Sequence, residues 1–84
     1  MKYKIEIAPL ADHYVVVASD METGKLKETF TLNESAADML KLFCKGLDVD
    51  AVSQEIAKIY DAPLSIVQQD VKAFADTLLE KGLM

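Results

Sequence analysis

Leu26-Lys27-Glu28-Thr29-Phe30-Thr31-Leu32-Asn33-Glu34-Ser35-Ala36-Ala37 contains the change of period on which the fold turns. From Leu26 to Leu32 the side chains alternate, with Leu26, Glu28, Phe30 and Leu32 on one side and Lys27, Thr29 and Thr31 on the other, the period-two pattern of a strand. At Asn33 the period becomes 3.6. Asn33 is an N-cap residue type and Glu34 suits the positive end of a helix. Ala36, Leu40, Phe43 and Leu47 then fall on one helical face, with Gly46 marking its end.

Before this step the chain reads as strand, and after it as helix. Tyr3, Ile5 and Ile7 alternate with Lys2, Lys4 and Glu6 until Pro9 ends the run. Tyr14-Val15-Val16-Val17-Ala18 is continuous and β-branched, as expected of a central strand. Ser19 to Lys25 supplies turn chemistry, with Gly24 as the residue at positive φ. Three such stretches predict an antiparallel meander with an unpaired outer edge. Beyond the step, Asp48 caps a second helix whose buried face carries Val49, Val52, Ile56, Ile59 and Tyr60, and Pro63 closes it. A third helix is expected to open at Ser65 with a capping box to Gln68. Its stripe is Val67, Val71, Phe74 and Leu78, flanked by Ala75 and Leu79, and Gly82 ends it. The order implies a single α+β domain over residues 1–84, winged helix-turn-helix-like, with a three-stranded antiparallel sheet followed by three helices.

Composition narrows the function classes. With 84 residues and 51% hydrophobic content, the chain can fill one small core. Cys44 is its one cysteine, which excludes an intrachain disulfide and points to a reducing, cytoplasmic setting. It is expected as a partly buried structural thiol. The apolar run from Tyr14 to Ala18 is far short of the ~20 residues of a membrane span, and no signal-peptide core follows Met1. The nine basic residues are all lysines and face 14 acids, for a net charge of -5. Phosphate neutralisation dominates nucleic-acid affinity, so this balance argues against DNA and RNA.

No catalytic constellation emerges. His13 has no second histidine or cysteine at metal-ligand spacing and reads as a turn residue. No serine lies in a nucleophile elbow, the carboxylates spread over several surfaces, and Gly24, Gly46 and Gly82 are too isolated to cradle a phosphate. The expectation is no enzyme activity, no cofactor and no metal. A winged-helix DNA-binding or transcription-associated domain is one rival reading. Its recognition helix, however, would present Gln68, Gln69, Asp70, Lys72, Asp76, Thr77, Glu80 and Lys81, three acids against two lysines. What remains is the strand edge beside the third helix. Such an edge can take an extended peptide as an extra strand, pair with a second copy of itself, or be guarded by Lys25 and Lys27. An accessory subunit docked permanently on an enzyme is the third reading.

Thr23-Gly24, Leu32-Asn33-Glu34-Ser35-Ala36-Ala37, Leu40, Gly46, Ile56, Tyr60-Asp61-Ala62-Pro63, Asp70-Val71, Phe74 and the ending from Leu78 to Leu83 together resemble the PqqD family. This is the pyrroloquinoline quinone synthesis protein D group, also called RiPP recognition elements. The resemblance runs from Tyr14 onward. It departs from the family at Leu40, where many members carry tryptophan, and in the lack of arginine. It implies a non-catalytic domain that binds the leader of a ribosomally made precursor peptide and delivers it to a modifying enzyme, often of the radical S-adenosylmethionine type. Any iron-sulfur chemistry would then belong to that partner. The positions implied for the peptide are Leu26, Lys27, Glu28, Thr29 and Phe30 on the third strand, and Gln68, Val71, Lys72 and Ala75 on the third helix.

Overall fold

In the computed structural model, which describes residues 3–84, strands β1 (Tyr3–Leu10), β2 (His13–Asp20) and β3 (Leu26–Leu32) precede helices α1 (Glu34–Cys44), α2 (Val49–Tyr60) and α3 (Leu64–Glu80). Lys2, assigned by alternation to the first strand, lies with Met1 outside the described residues. The sheet order is β1-β2-β3, antiparallel throughout, so β2 is central and β3 has one open edge. This is the expected α+β arrangement.

Period two sorts the sheet into faces. Val16 and Ala18 of β2 are fully buried beneath the helices, and their partners Ile7, Ile5, Phe30 and Glu28 share that side. The core joins these strands to Met39, Leu40 and Phe43 of α1, Val52 and Ile56 of α2, and Val67, Val71, Ala75 and Leu78 of α3. Phe43 and Phe74 meet with ring centroids 6.4 Å apart.

Most local signals act as expected. Asn33 and Asp48 cap α1 and α2 through side-chain oxygens that accept from the N–H of Ala36 and Ala51, at 2.9 and 2.8 Å. Asp61 takes the left-handed conformation after α2, and Pro63 follows it.

Other expectations need correction. Pro9 does not end β1, which runs on to Leu10; proline is tolerated there because β1 is an edge strand. The Ser65–Gln68 capping box does not form, because α3 starts one residue earlier with Pro63 at the cap and no side-chain bond. On α1 the buried set is Ala37, Met39, Leu40 and Phe43; the helix stops at Cys44, and Leu47 packs against the core from the loop beyond. On α2, Ser53 is buried with its hydroxyl donating to the Val49 carbonyl at 2.7 Å. Ile59 stays 57% exposed, because helical phase does not reveal how far along a helix its neighbours reach. Cys44 is exposed rather than half-buried, although desolvation still raises its thiol above the ordinary value. No helix among the described residues is long and apolar enough to cross a membrane.

Candidate functional site

β3 pairs with β2 through Tyr14↔Leu32, Val15↔Thr31, Val16↔Phe30, Val17↔Thr29 and Ala18↔Glu28, after which the register slips so that Leu26 opposes Ser19. The extra residue is Lys27. Paired residues share a face, so the bulge turns Leu26 to the opposite face of the sheet from Glu28 and Phe30, where it is 63% exposed. It also carries the Lys27 ammonium to 5.8 Å from the ring of Tyr3. The unbroken alternation of Leu26, Glu28, Phe30 and Leu32 expected from sequence therefore holds only from Glu28 onward.

The turn before β3 is built on Asp20. Its carboxylate accepts from the N–H of Thr23 at 2.9 Å and of Glu22 at 2.8 Å, and these bonds hold it below the usual carboxylate range. Gly24, at φ +73, completes the reversal.

Lys81, just past the C-terminus of α3, bridges the helix to this strand. Its Nζ lies 3.3 Å from Glu28 Oε1 and 4.7 Å from the centre of the Phe30 ring. The helix ending fixes that reach. Gly82, at φ +74, donates to the Leu79 carbonyl and Leu83 donates to that of Leu78, at 3.0 and 2.9 Å, which is the paired bonding of a Schellman motif. Leu83 is thereby folded back into the core, fully buried.

The β3 residues expected at the site, Leu26, Lys27, Glu28, Thr29 and Phe30, lie along the open edge, with Leu26 on the far face. Those on α3 do not form one surface. Val71 and Ala75 are core residues, and only Gln68 and Lys72 are exposed. Lys72 precedes Lys81 by about two and a half turns, so the two project from opposite sides of α3. Gln68 stands beside Lys72. The side that reaches β3 carries Asp70, Phe74, Thr77 and Lys81, at helical spacing. Sequence reasoning missed Lys81 because a lysine at a helix C-terminus is already explained by the helix dipole.

Elsewhere the polar groups make ordinary contacts. His13 Nδ1 lies 3.2 Å from Asp12 Oδ1, and this bond is the main cause of the lowered Asp12 carboxyl. Tyr60 donates to Asp38 and ties the end of α2 to α1; desolvation first, and this bond second, hold its phenol well above the usual range. No group of three or more His, Cys, Asp or Glu side chains that could hold a metal ion is present among the described residues.

Fold and site together define a winged-helix-like α+β domain whose open-edged third strand is met by Lys81 from the end of its last helix. The family described as Coenzyme PQQ synthesis protein D (PqqD) matches residues 10–84, and the chain belongs to that family, as the motif order implied. Among solved structures it is similar to TbiB1 in complex with the TbiA(beta) leader peptide. The two share 22% identity and superpose with a TM-score of 0.70, over 99% of this chain and 93% of that one. No curated protein matches the chain.

Proposed function

We propose that this chain is a non-catalytic peptide chaperone that takes the leader of a ribosomally made precursor peptide as an added strand on β3 and presents it to a peptide-modifying enzyme. The observation that carries this reading is the open β3 edge beside α3, a seam that Lys81 bridges near one end. An added strand would bond to the free backbone groups of β3, while its alternate side chains enter the seam. Membership of the PqqD family supports the reading, as does the fold shared with a protein solved with a leader peptide bound. The contact set is the strand from Leu26 to Phe30 with Phe74, Thr77 and Lys81. Val71 and Ala75 would act beneath it as packing, and Gln68 and Lys72 would lie beyond it. The family resemblance favours a radical S-adenosylmethionine enzyme as the recipient. Because a homodimer through β3 would use the same backbone groups, peptide and second copy would exclude one another.

The test is a titration of isotopically labelled protein with synthetic peptides from short open reading frames beside its gene. Amide shifts should concentrate in residues 26–32 and 74–83. A flat response to every such peptide, or shifts confined to β1, would overturn the assignment.

A further inference from the structure

Glu28 has an oxygen left over. Lys81 takes Oε1, but Oε2 is buried and has no hydrogen-bond partner among the described residues. Buried polar atoms are nearly always paired, so an orphaned carboxylate oxygen is a feature to be explained. Its place in the sheet supplies the explanation. Glu28 opposes the fully buried Ala18 and so projects to the helix-covered face, yet it does so from the strand with the open edge. A strand added to β3 would lie about 4.8 Å away, and its residue opposite Glu28 would project to the same face, with Cβ atoms about 5 Å apart.

We infer that Glu28 is a specificity-determining residue: Oε2 accepts a hydrogen bond from a donor side chain, a hydroxyl or a cation, on the residue of the added strand that faces it. The inference rests on the strand addition proposed above. It also fixes a second position. Two residues along the same face, the added strand meets Phe30, whose ring already carries the Lys81 ammonium. An apolar side chain fits there, so the recognised pattern is a donor and an apolar residue separated by one. An acidic residue opposite Glu28 is excluded by like-charge repulsion.

A display library of short random peptides, selected separately on the wild-type protein, on Glu28→Gln and on Glu28→Leu, tests this. Wild-type selection should enrich Ser, Thr, Lys or Arg at one position, deplete Asp and Glu there, and enrich apolar residues two positions away. The best wild-type peptide should bind Glu28→Gln about tenfold more weakly, the size of one hydrogen bond to a charged group. Selection on Glu28→Leu should replace the donor by an apolar residue. Amide shifts and thermal unfolding of each variant with its peptide show where binding occurs and that the fold persists. Peptides that bind along β3 with the same preferences on all three proteins would overturn the role of Glu28 and leave strand addition standing. Selected peptides that shift no β3 resonance would overturn both.

Discussion

On one side α3 is sealed into the domain, and on the other it meets β3 through a bridge. The sealed side carries Val67, Val71, Ala75 and Leu78, none more than 5% exposed, packed with α2, α1 and the inner face of β2. The β3 side has the partly buried Phe74 and Phe30, with Lys81 spanning to Glu28 and its orphaned oxygen. Tight packing and paired polar groups mark a surface complete in itself. The β3 side, with two partly buried phenylalanines, a single ammonium and an unpaired acceptor, is less completely packed and paired. One helix thus serves both as core and as one wall of the seam proposed to take the peptide.

Truncation should separate the two sides sharply. Leu78→Ala empties a fully buried site and should cost about 2–5 kcal/mol in urea unfolding, a large part of the roughly 4–12 kcal/mol expected for a domain of this length. Lys81→Ala leaves both Glu28 oxygens without a partner and uncovers Phe30. It should cost about 1–2 kcal/mol and weaken peptide binding in the same titration. Lys72→Ala is the control on the opposite side of the helix, with stability expected to change by less than about 0.5 kcal/mol and binding to hold. If Lys72 instead mattered more than Lys81 for binding, the seam would have been assigned to the wrong side of α3.

Gly82→Ala sharpens the comparison because this residue serves both sides. An added Cβ meets nothing within 4 Å, so the cost is conformational: at φ +74 an L-residue is strained by about 1 kcal/mol. Thermal unfolding should register that loss. In addition, both the Phe30 resonances next to Lys81 and the Leu83 methyls in the core should move, since the Schellman turn positions both. Movement of only one set would show that the two sides are not coupled through this turn.

The sealed side was largely legible in the sequence and the seam only in part. Val67, Val71 and Leu78 stand out because a helical stripe records burial directly, and Asn33 and Asp48 act as caps through bonds to residues three positions away. The seam depends on events that leave little local trace. A bulge at Lys27 moves Leu26 across the sheet without breaking the pattern of residue types. Choosing between Lys72 and Lys81 requires knowing which flank of α3 faces the strand, and periodicity fixes only the inner stripe. Residue by residue, the family resemblance pointed to the strand with the open edge and to helix positions that the packing distributes between the core and the exposed flank.

The smallest effect expected lies at the other end of the edge strand, where Asp20 holds the turn into β3. Backbone N–H groups of Thr23 and then Glu22 favour its charged form and depress its pKa. For a group depressed on folding, the stabilising contribution is present above the ordinary carboxylate pKa and is lost as pH falls through the folded value. Acidification should therefore loosen the start of β3 while the sealed core, which holds no buried carboxylate, is unaffected by this group. The amide resonances of Glu22 and Thr23 followed against pH should shift with a midpoint below the usual aspartate value near 3.9. Asp20→Asn should abolish that transition without altering the Leu78 and Leu83 methyls. A midpoint at or above the ordinary value would mean that the turn does not hold the carboxylate in solution. The turn into β3 would then rest on its other hydrogen bonds, among them Asp20 N–H to the Lys25 carbonyl and Gly24 N–H to the Asp20 carbonyl.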